Sequence, residues 1–331
     1  MKTSPPKIWL LYLILPVRFG LILTGALIFT LVAVAFLVIG DVRTLFSSGA
    51  LFFCAMCAYI VPVFSYINRI SVKAVDSLRP LLNMPQDQFL RFRQSISRQS
   101  LAWNLGVTAL GLAGGFLHLK IIYAGRGTSL QDEMSNSVGF LNDLGALIVW
   151  LIMTVAITSQ VQNAIRIGRL ARRLPPIDLF RTDQLLPFAW VAISSSLSLI
   201  GSLALFPLLY IDQDTSLRTV LPGIVPTVLP MLALLLLPMW PAHKLLKARK
   251  AQMVWQINSA LGELRNEEEL YSDQDQLQQI NNLLDHRAHV QRVSDWPIDV
   301  GVVSQLAFYL IIPPLTWVGA ALIENVVDAV L

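Results

Sequence analysis

The sequence predicts an all-α, polytopic membrane protein: seven transmembrane helices in three similar hairpins, plus a cytosolic helical hairpin. Three observations predict it. Of 331 residues, 55% are hydrophobic and only 14% charged, with a mean hydropathy of +0.60; a soluble domain carries about 25% charged residues. Seven apolar stretches reach the length of about 20 residues that a helix needs to cross the hydrocarbon. And a Pro-x-Asp triplet stands before an apolar stretch three times: Pro85 to Asp87, Pro176 to Asp178 and Pro297 to Asp299. Each triplet follows an apolar span that runs into a basic segment.

The amino-terminal segment, 1–18, is expected in the cytosol and at the interface. Ile8 to Leu15 reads as an interfacial helix with Trp9 and Tyr12 at headgroup depth. Pro16, Arg18 and the full-length span that follows argue against a cleaved signal peptide. Spans are expected at Phe19–Ile39, Ser47–Ile67, Leu101–Ile122, Phe140–Ser159, Pro187–Ile211, Leu221–Pro241 and Gly301–Ile323. They are helices because open strands leave backbone groups unpaired in lipid. Spans one to six make up residues 19–242, with basic cytosolic loops at 69–100 and 161–186; span seven falls in 300–331 with an external carboxy terminus.

Charge sets the orientation. Of 25 lysines and arginines, 21 lie before span one or between spans two and three, four and five, or six and seven. The positive-inside rule places those segments in the cytoplasm, with a bacterial inner membrane as the expected location. The net charge of +4 is thus a topogenic signal spread over four segments, and no nucleic acid is expected as a partner.

The Pro-x-Asp triplet suits a helix start. The missing proline N–H costs nothing in the first turn, and the aspartate faces the positive end of the dipole. Ala102-Trp103 and Ala189-Trp190 extend the likeness of two outward spans, with leucines (Leu110 and Leu197, Leu112 and Leu199) and glycines (Gly114 and Gly201) at equal offsets. The pattern reads as an internal repeat, diverged in its third unit.

Residues 243–299 carry apolar positions at helical spacing: Leu245, Leu246, Val254, Ile257, Leu261 and Leu264, then Leu277, Ile280, Leu283, Leu284, Val290 and Val293. A polar stretch with an acidic tip at Glu267–Glu269 separates them. This predicts a helical hairpin, separable from the spans, whose apolar faces pack on each other, on a sister subunit or on a soluble partner.

Sites for chemistry are few. Cys54 and Cys57 supply two of zinc's four ligands and read as small packed hydrophobes. His286 and His289 lack a third ligand nearby, and the acidic tip lacks calcium-loop spacing. No phosphate loop, nucleophile elbow or His-Glu-x-x-His motif occurs. No enzyme activity, cofactor or metal is expected. The span midplanes carry no ionisable residue, which argues against proton-coupled transport, and Ser194, Ser195, Ser196, Ser198 and Ser202 read as close-packing positions.

Prolines are the remaining signal. Pro222, Pro226 and Pro230 recur every fourth residue in span six, followed by Pro238 and Pro241; Pro313 and Pro314 sit within span seven. An interior proline frees the carbonyl four residues earlier, here those of Pro222, Pro226, Leu234, Tyr309 and Leu310, and a freed carbonyl must face protein, water or a cavity. The sequence therefore raises a homo-oligomeric channel gated through the cytosolic hairpin, with spans six and seven along its path. A non-conducting scaffold or sensor subunit and a small-solute transporter without a charged coupling site stand beside it. Lipid, self-association and a cytosolic protein docking on 243–299 are the expected partners.

Overall fold

Long uninterrupted runs of Leu, Ile, Val, Ala and Phe form the helices of this chain. In a computed structural model, residues 6–126, 137–175, 178–210, 217–265 and 274–296, with Ser304 and Phe308, are described. Nine α-helices occur among them: α1 (Gly20–Ile39), α2 (Val42–Leu45), α3 (Ser48–Leu78), α4 (Gln86–Ser97), α5 (Leu101–Arg126), α6 (Ser137–Leu170), α7 (Leu186–Leu203), α8 (Leu217–Arg265) and α9 (Gln274–Arg292). No strand occurs among the described residues, apart from one antiparallel bridge between Lys7 and Arg98.

Six of these helices, α1, α3, α5, α6, α7 and α8, are long and apolar enough to cross a membrane. They coincide with the first six expected spans. The seventh, at 301–323, lies outside the described residues, as do Tyr309, Leu310, Pro313 and Pro314.

The bundle has a centre and a rim. α3 packs on α6 and α7, and α8 packs on the same two helices, so these four close a ring. α1 lies against α3 and α5 against α6. Burial follows this order: 67% of the apolar window of α3 is buried, against 11% of that of α1 and 22% of that of α5. The peripheral helices therefore keep most of their leucines for lipid or for another chain.

The helices that run toward the basic end do not stop where their apolar runs end. α3 continues through Arg69 and Lys73 to Leu78, and α6 through Arg166 and Arg169 to Leu170; each then tightens into a 3-10 turn, Arg79–Leu81 and Ala171–Arg173. α8 extends furthest, 49 residues. α7 ends at Leu203, short of the expected Ile211, and a 3-10 turn follows at Phe206–Tyr210. Pro207 explains this, since it has no N–H with which to bond the Leu203 carbonyl and continue the α-helix.

Two cores hold the molecule. The first joins Phe36 of α1, Phe52, Met56 and Phe64 of α3, Val149 and Ile152 of α6 and Leu203 and Phe206. The second lies at the basic end. There Ala74, Val75 and Leu78 of α3 meet Phe89 and Ile96 of α4, Ile167 and Leu170 of α6, Phe188 and Val191 of α7, Leu246 and Ile257 of α8 and Val290 of α9. α9 packs on the extension of α8, and Val290 and Ile257 of this pair lie in a core shared with the ends of α3, α4, α6 and α7. Leu277 and Leu284 lie outside that core, 41% and 44% exposed.

The amino-terminal segment also differs from expectation. Residues Trp9–Leu13 form a 3-10 helix; its Leu10 and the preceding Ile8 are fully buried in the first core, while Tyr12 is exposed. Hydrogen bonds from Ile8 N to Ser97 O (3.1 Å) and from Gln99 N to Pro6 O (3.1 Å) tie it to the end of α4. It is a strap across the bundle more than a surface helix.

Candidate functional site

The most heavily built polar region lies at the basic end of the ring, around the last turn of α4. That helix is amphipathic and begins at the first Pro-x-Asp triplet: Pro85 is the N-cap and Asp87 stands in the first turn, as the charge argument expects. Its other end presents carbonyls without helical partners. Asn163 Nδ2 of α6 donates to Ile96 O at 3.0 Å, the Arg166 guanidinium donates to Ser95 O, and Asn68 Nδ2 of α3 donates to Ser97 Oγ at 2.7 Å. Gln99 Nε2 donates to Gln162 Oε1 at 2.8 Å. α3, α6 and the amino-terminal strap thus clamp one helix end.

This cap continues into the ring as a polar seam. Ser65 and Asn68 of α3, Ser159, Gln160 and Asn163 of α6, and Ser195, Ser196, Ser198 and Ser202 of α7 are all buried. Tyr59 donates to Ser198 O at 3.1 Å and Ser196 Oγ to Met231 O of α8 at 3.4 Å. Several serines bond within their own helix, as Ser198 does to Ser195 O and Ser202 to Leu199 O. Asn68 Oδ1, Gln99 Oε1, Ser159 Oγ and Asn163 Oδ1 are buried without a hydrogen-bond partner among the described residues. The seam offers acceptors that can position water or another donor, and none of these four groups is an acid or base near neutral pH.

A second feature concerns carbonyls that prolines free. Pro62 lies inside α3, and the carbonyl it leaves without a helical donor is that of Ala58. A Cβ built on Gly25 of α1 would lie 3.1 Å from Ala58 O. Pro241 frees the carbonyl of Leu237 in the same way, and a Cβ on Gly168 of α6 would lie 2.6 Å from Leu237 O. In both places the neighbouring helix carries a glycine, and a side chain there would crowd the freed oxygen. The requirement that such oxygens face protein is met by glycine.

A third feature holds the chain on its way back from α9. Lys250 Nζ bonds Asp295 Oδ1 at 3.0 Å and Val293 O at 2.8 Å, and His243 Nδ1 lies 2.8 Å from Asp295 O. That last contact makes Nδ1 the protonated nitrogen when the ring is neutral. Trp296 stacks on His243 with ring centroids 4.3 Å apart, and Trp240 borders both rings. Asn68 and His243 each open a basic extension, and each ties down the segment that follows it.

The predicted residues are scattered through these features. Pro230 is half-buried, Pro238 is buried, and Leu234 is fully buried in a cluster with Ala164, Leu199, Ile200 and Met231. Pro222 and Pro226 lie in the helical backbone of α8, which runs through all its prolines without a break. Asp178 belongs to a turn: its Oδ1 accepts from Phe180 N and its carbonyl from Arg181 N. The helix-start reading thus holds at Asp87 and not at Asp178, because the next α-helix begins only at Leu186. Pro176, Pro297 and Asp299 lie outside the described residues.

Sequence reasoning misses Gln99, Gln160 and Gln162, which carry no spacing signal; Asn68 and Asn163 are visible only as matching starts of two basic stretches. Asp143, near the amino terminus of α6, is buried and accepts a hydrogen bond from Tyr123 of α5. No family model matches the chain, and no curated protein or solved structure is similar to it.

Proposed function

We propose that this integral membrane protein is a non-conducting sensor or scaffold subunit, in which docking of a cytosolic partner on α8 and α9 is transmitted to the membrane spans. The observation that carries this reading is the second core. Ile257 and Val290 of the hairpin share it with the ends of α3, α6, α7 and α8, so a displaced hairpin must disturb four spans at once. Close-packed cores respond by switching between arrangements, not by gradual deformation. The tie of Asn68 to Ser97 and of His243 to Asp295 supports a hairpin plan used more than once.

A spin label at Leu197→Cys, in a Cys54→Ala, Cys57→Ala background, tests the coupling. Ile257→Ala is expected to change the label's mobility although it lies in the cytosolic extension. An unchanged spectrum overturns the reading.

One observation favours a second reading, a channel between copies of the chain. Leu229, Leu232, Leu236 and Trp240 form an exposed apolar stripe along α8, with Leu229 75% exposed. The space inside one ring is filled by Leu199, Ile200, Met231 and Leu234, so on this reading the path runs between subunits. Purified protein in liposomes separates the two: conductance above that of empty liposomes supports the channel, and its absence supports the sensor.

A further inference from the structure

Between α3 and α7, at the basic boundary of the bundle, lies a groove of about 300 Å³ lined by Ile70, Lys73, Trp190, Ile193 and Ser194. Ile70 and Lys73 are three apart on α3, and Trp190, Ile193 and Ser194 are three and four apart on α7, so each helix gives one stripe to the groove. Its surface is almost wholly apolar. The one hydroxyl is spent within its own helix, since Ser194 Oγ donates to Trp190 O at 2.5 Å.

The one charged residue that lines the groove is Lys73. Lys73 and Arg69, one turn apart, are both exposed and form no ion pair among the described residues. The acid closest along α3 is Asp76, and Arg93 holds both of its oxygens, at 2.6 and 3.0 Å. An apolar slot lined by an exposed lysine without an ion pair among the described residues and by a half-exposed tryptophan fits one membrane component. Tryptophan marks headgroup depth, and lysine carries its aliphatic stem along the slot while its ammonium stays at the surface.

We infer that this groove is a binding site for an anionic glycerophospholipid of the basic-side leaflet. One acyl chain lies against Ile70, Ile193 and the Trp190 ring, and the headgroup phosphate lies at Lys73. The inference rests on the membrane reading of the chain and is independent of whether the protein senses or conducts. Acyl chains are apolar wherever they sit in the bilayer, so selection comes from shape at the groove and charge at Lys73.

Native mass spectrometry of the purified full chain, titrated with phosphatidylglycerol and phosphatidylcholine of identical acyl chains, tests it. Retention of phosphatidylglycerol is expected to be stronger by about fivefold, the factor for one lysine near an anionic surface. Lys73→Gln is expected to remove that preference, and Ile193→Trp, which fills the slot, to weaken both lipids. Equal retention by the unaltered protein, or a preference that survives Lys73→Gln, overturns the assignment. A second measurement does not depend on the filled variant folding: phosphatidylglycerol brominated on its chains is expected to quench less fluorescence in Trp190→Phe than in the unaltered protein. Equal quenching shows that no chain lies in the groove.

Discussion

Gly168 has no room for a methyl group, because the oxygen that would meet it, Leu237 O, belongs to backbone and cannot rotate away. Gly168→Ala is expected to separate α6 from α8 and to cost about 1–3 kcal/mol, the usual range for overpacking. Gly262→Ala is the control. Nothing lies within 4 Å of its built Cβ, so the helix gains up to about 1 kcal/mol of propensity. Thermal unfolding of the two variants checks the contrast, and equal melting temperatures refute the seat at Gly168. Asp41 gives a pH-dependent case. Its carboxylate caps α2 by accepting from Thr44 N at 2.7 Å and from Thr44 Oγ1 at 2.8 Å. The first of these bonds and then the second hold its pKa below the ordinary 3.8. A depressed folded value means that the contribution is complete above the unfolded value and is lost as pH falls through the folded one. The stability difference between the unaltered protein and Asp41→Asn is therefore expected to hold from neutral pH down to near 3.8 and to shrink below it; a constant difference refutes it. At this scale the sequence is only partly legible. The proline rule names the carbonyls that are set free, yet the glycines that receive them lie on other helices, and no local pattern points to them.

At the scale of elements, the apolar spans are legible because length and composition decide them. α4 is not: its 12 residues carry few apolar positions, and it reads as part of a basic loop until Phe89 and Ile96 are seen in the core. The hairpin is legible as two helices, but its attachment is not, since helical spacing shows which residues share a face and says nothing of what covers that face. Leu277 and Leu284 illustrate the gap, being in phase with the partly buried Ile280 and yet exposed. Ile257, 6% exposed, is the test. Ile257→Ala is expected to cost about 2–5 kcal/mol and to lower the melting of the whole protein in one transition. Two separate transitions, with only the first shifted, mark an independently folded hairpin.

For the whole molecule, orientation rests on the distribution of 21 against 4 basic residues. Reporters joined after Arg93 or Arg265 are expected inside the cell, and reporters after Gly127 or Leu331 outside. A carboxy-terminal reporter found inside shows that the last apolar segment turns back at Pro313 and Pro314. The cap around α4 is legible only at this scale. Asn68 of α3 and Asn163 and Arg166 of α6 meet at one helix end, and the Ile96 and Ser95 carbonyls that Asn163 and Arg166 serve lack helical donors only because α4 ends there.

The glycine seats also carry information about biogenesis. Gly25 precedes Pro62 in the chain, and Gly168 precedes Pro241. A ribosome delivers the amino-terminal helix of each pair first, so the receiving surface is already in the bilayer when the helix with the open carbonyl arrives. Neither oxygen has to wait in hydrocarbon for a partner still to be synthesised. The order of translation and the order of satisfaction coincide, and a circular permutant that begins at α3 would reverse that order for Ala58 while leaving it unchanged for Leu237.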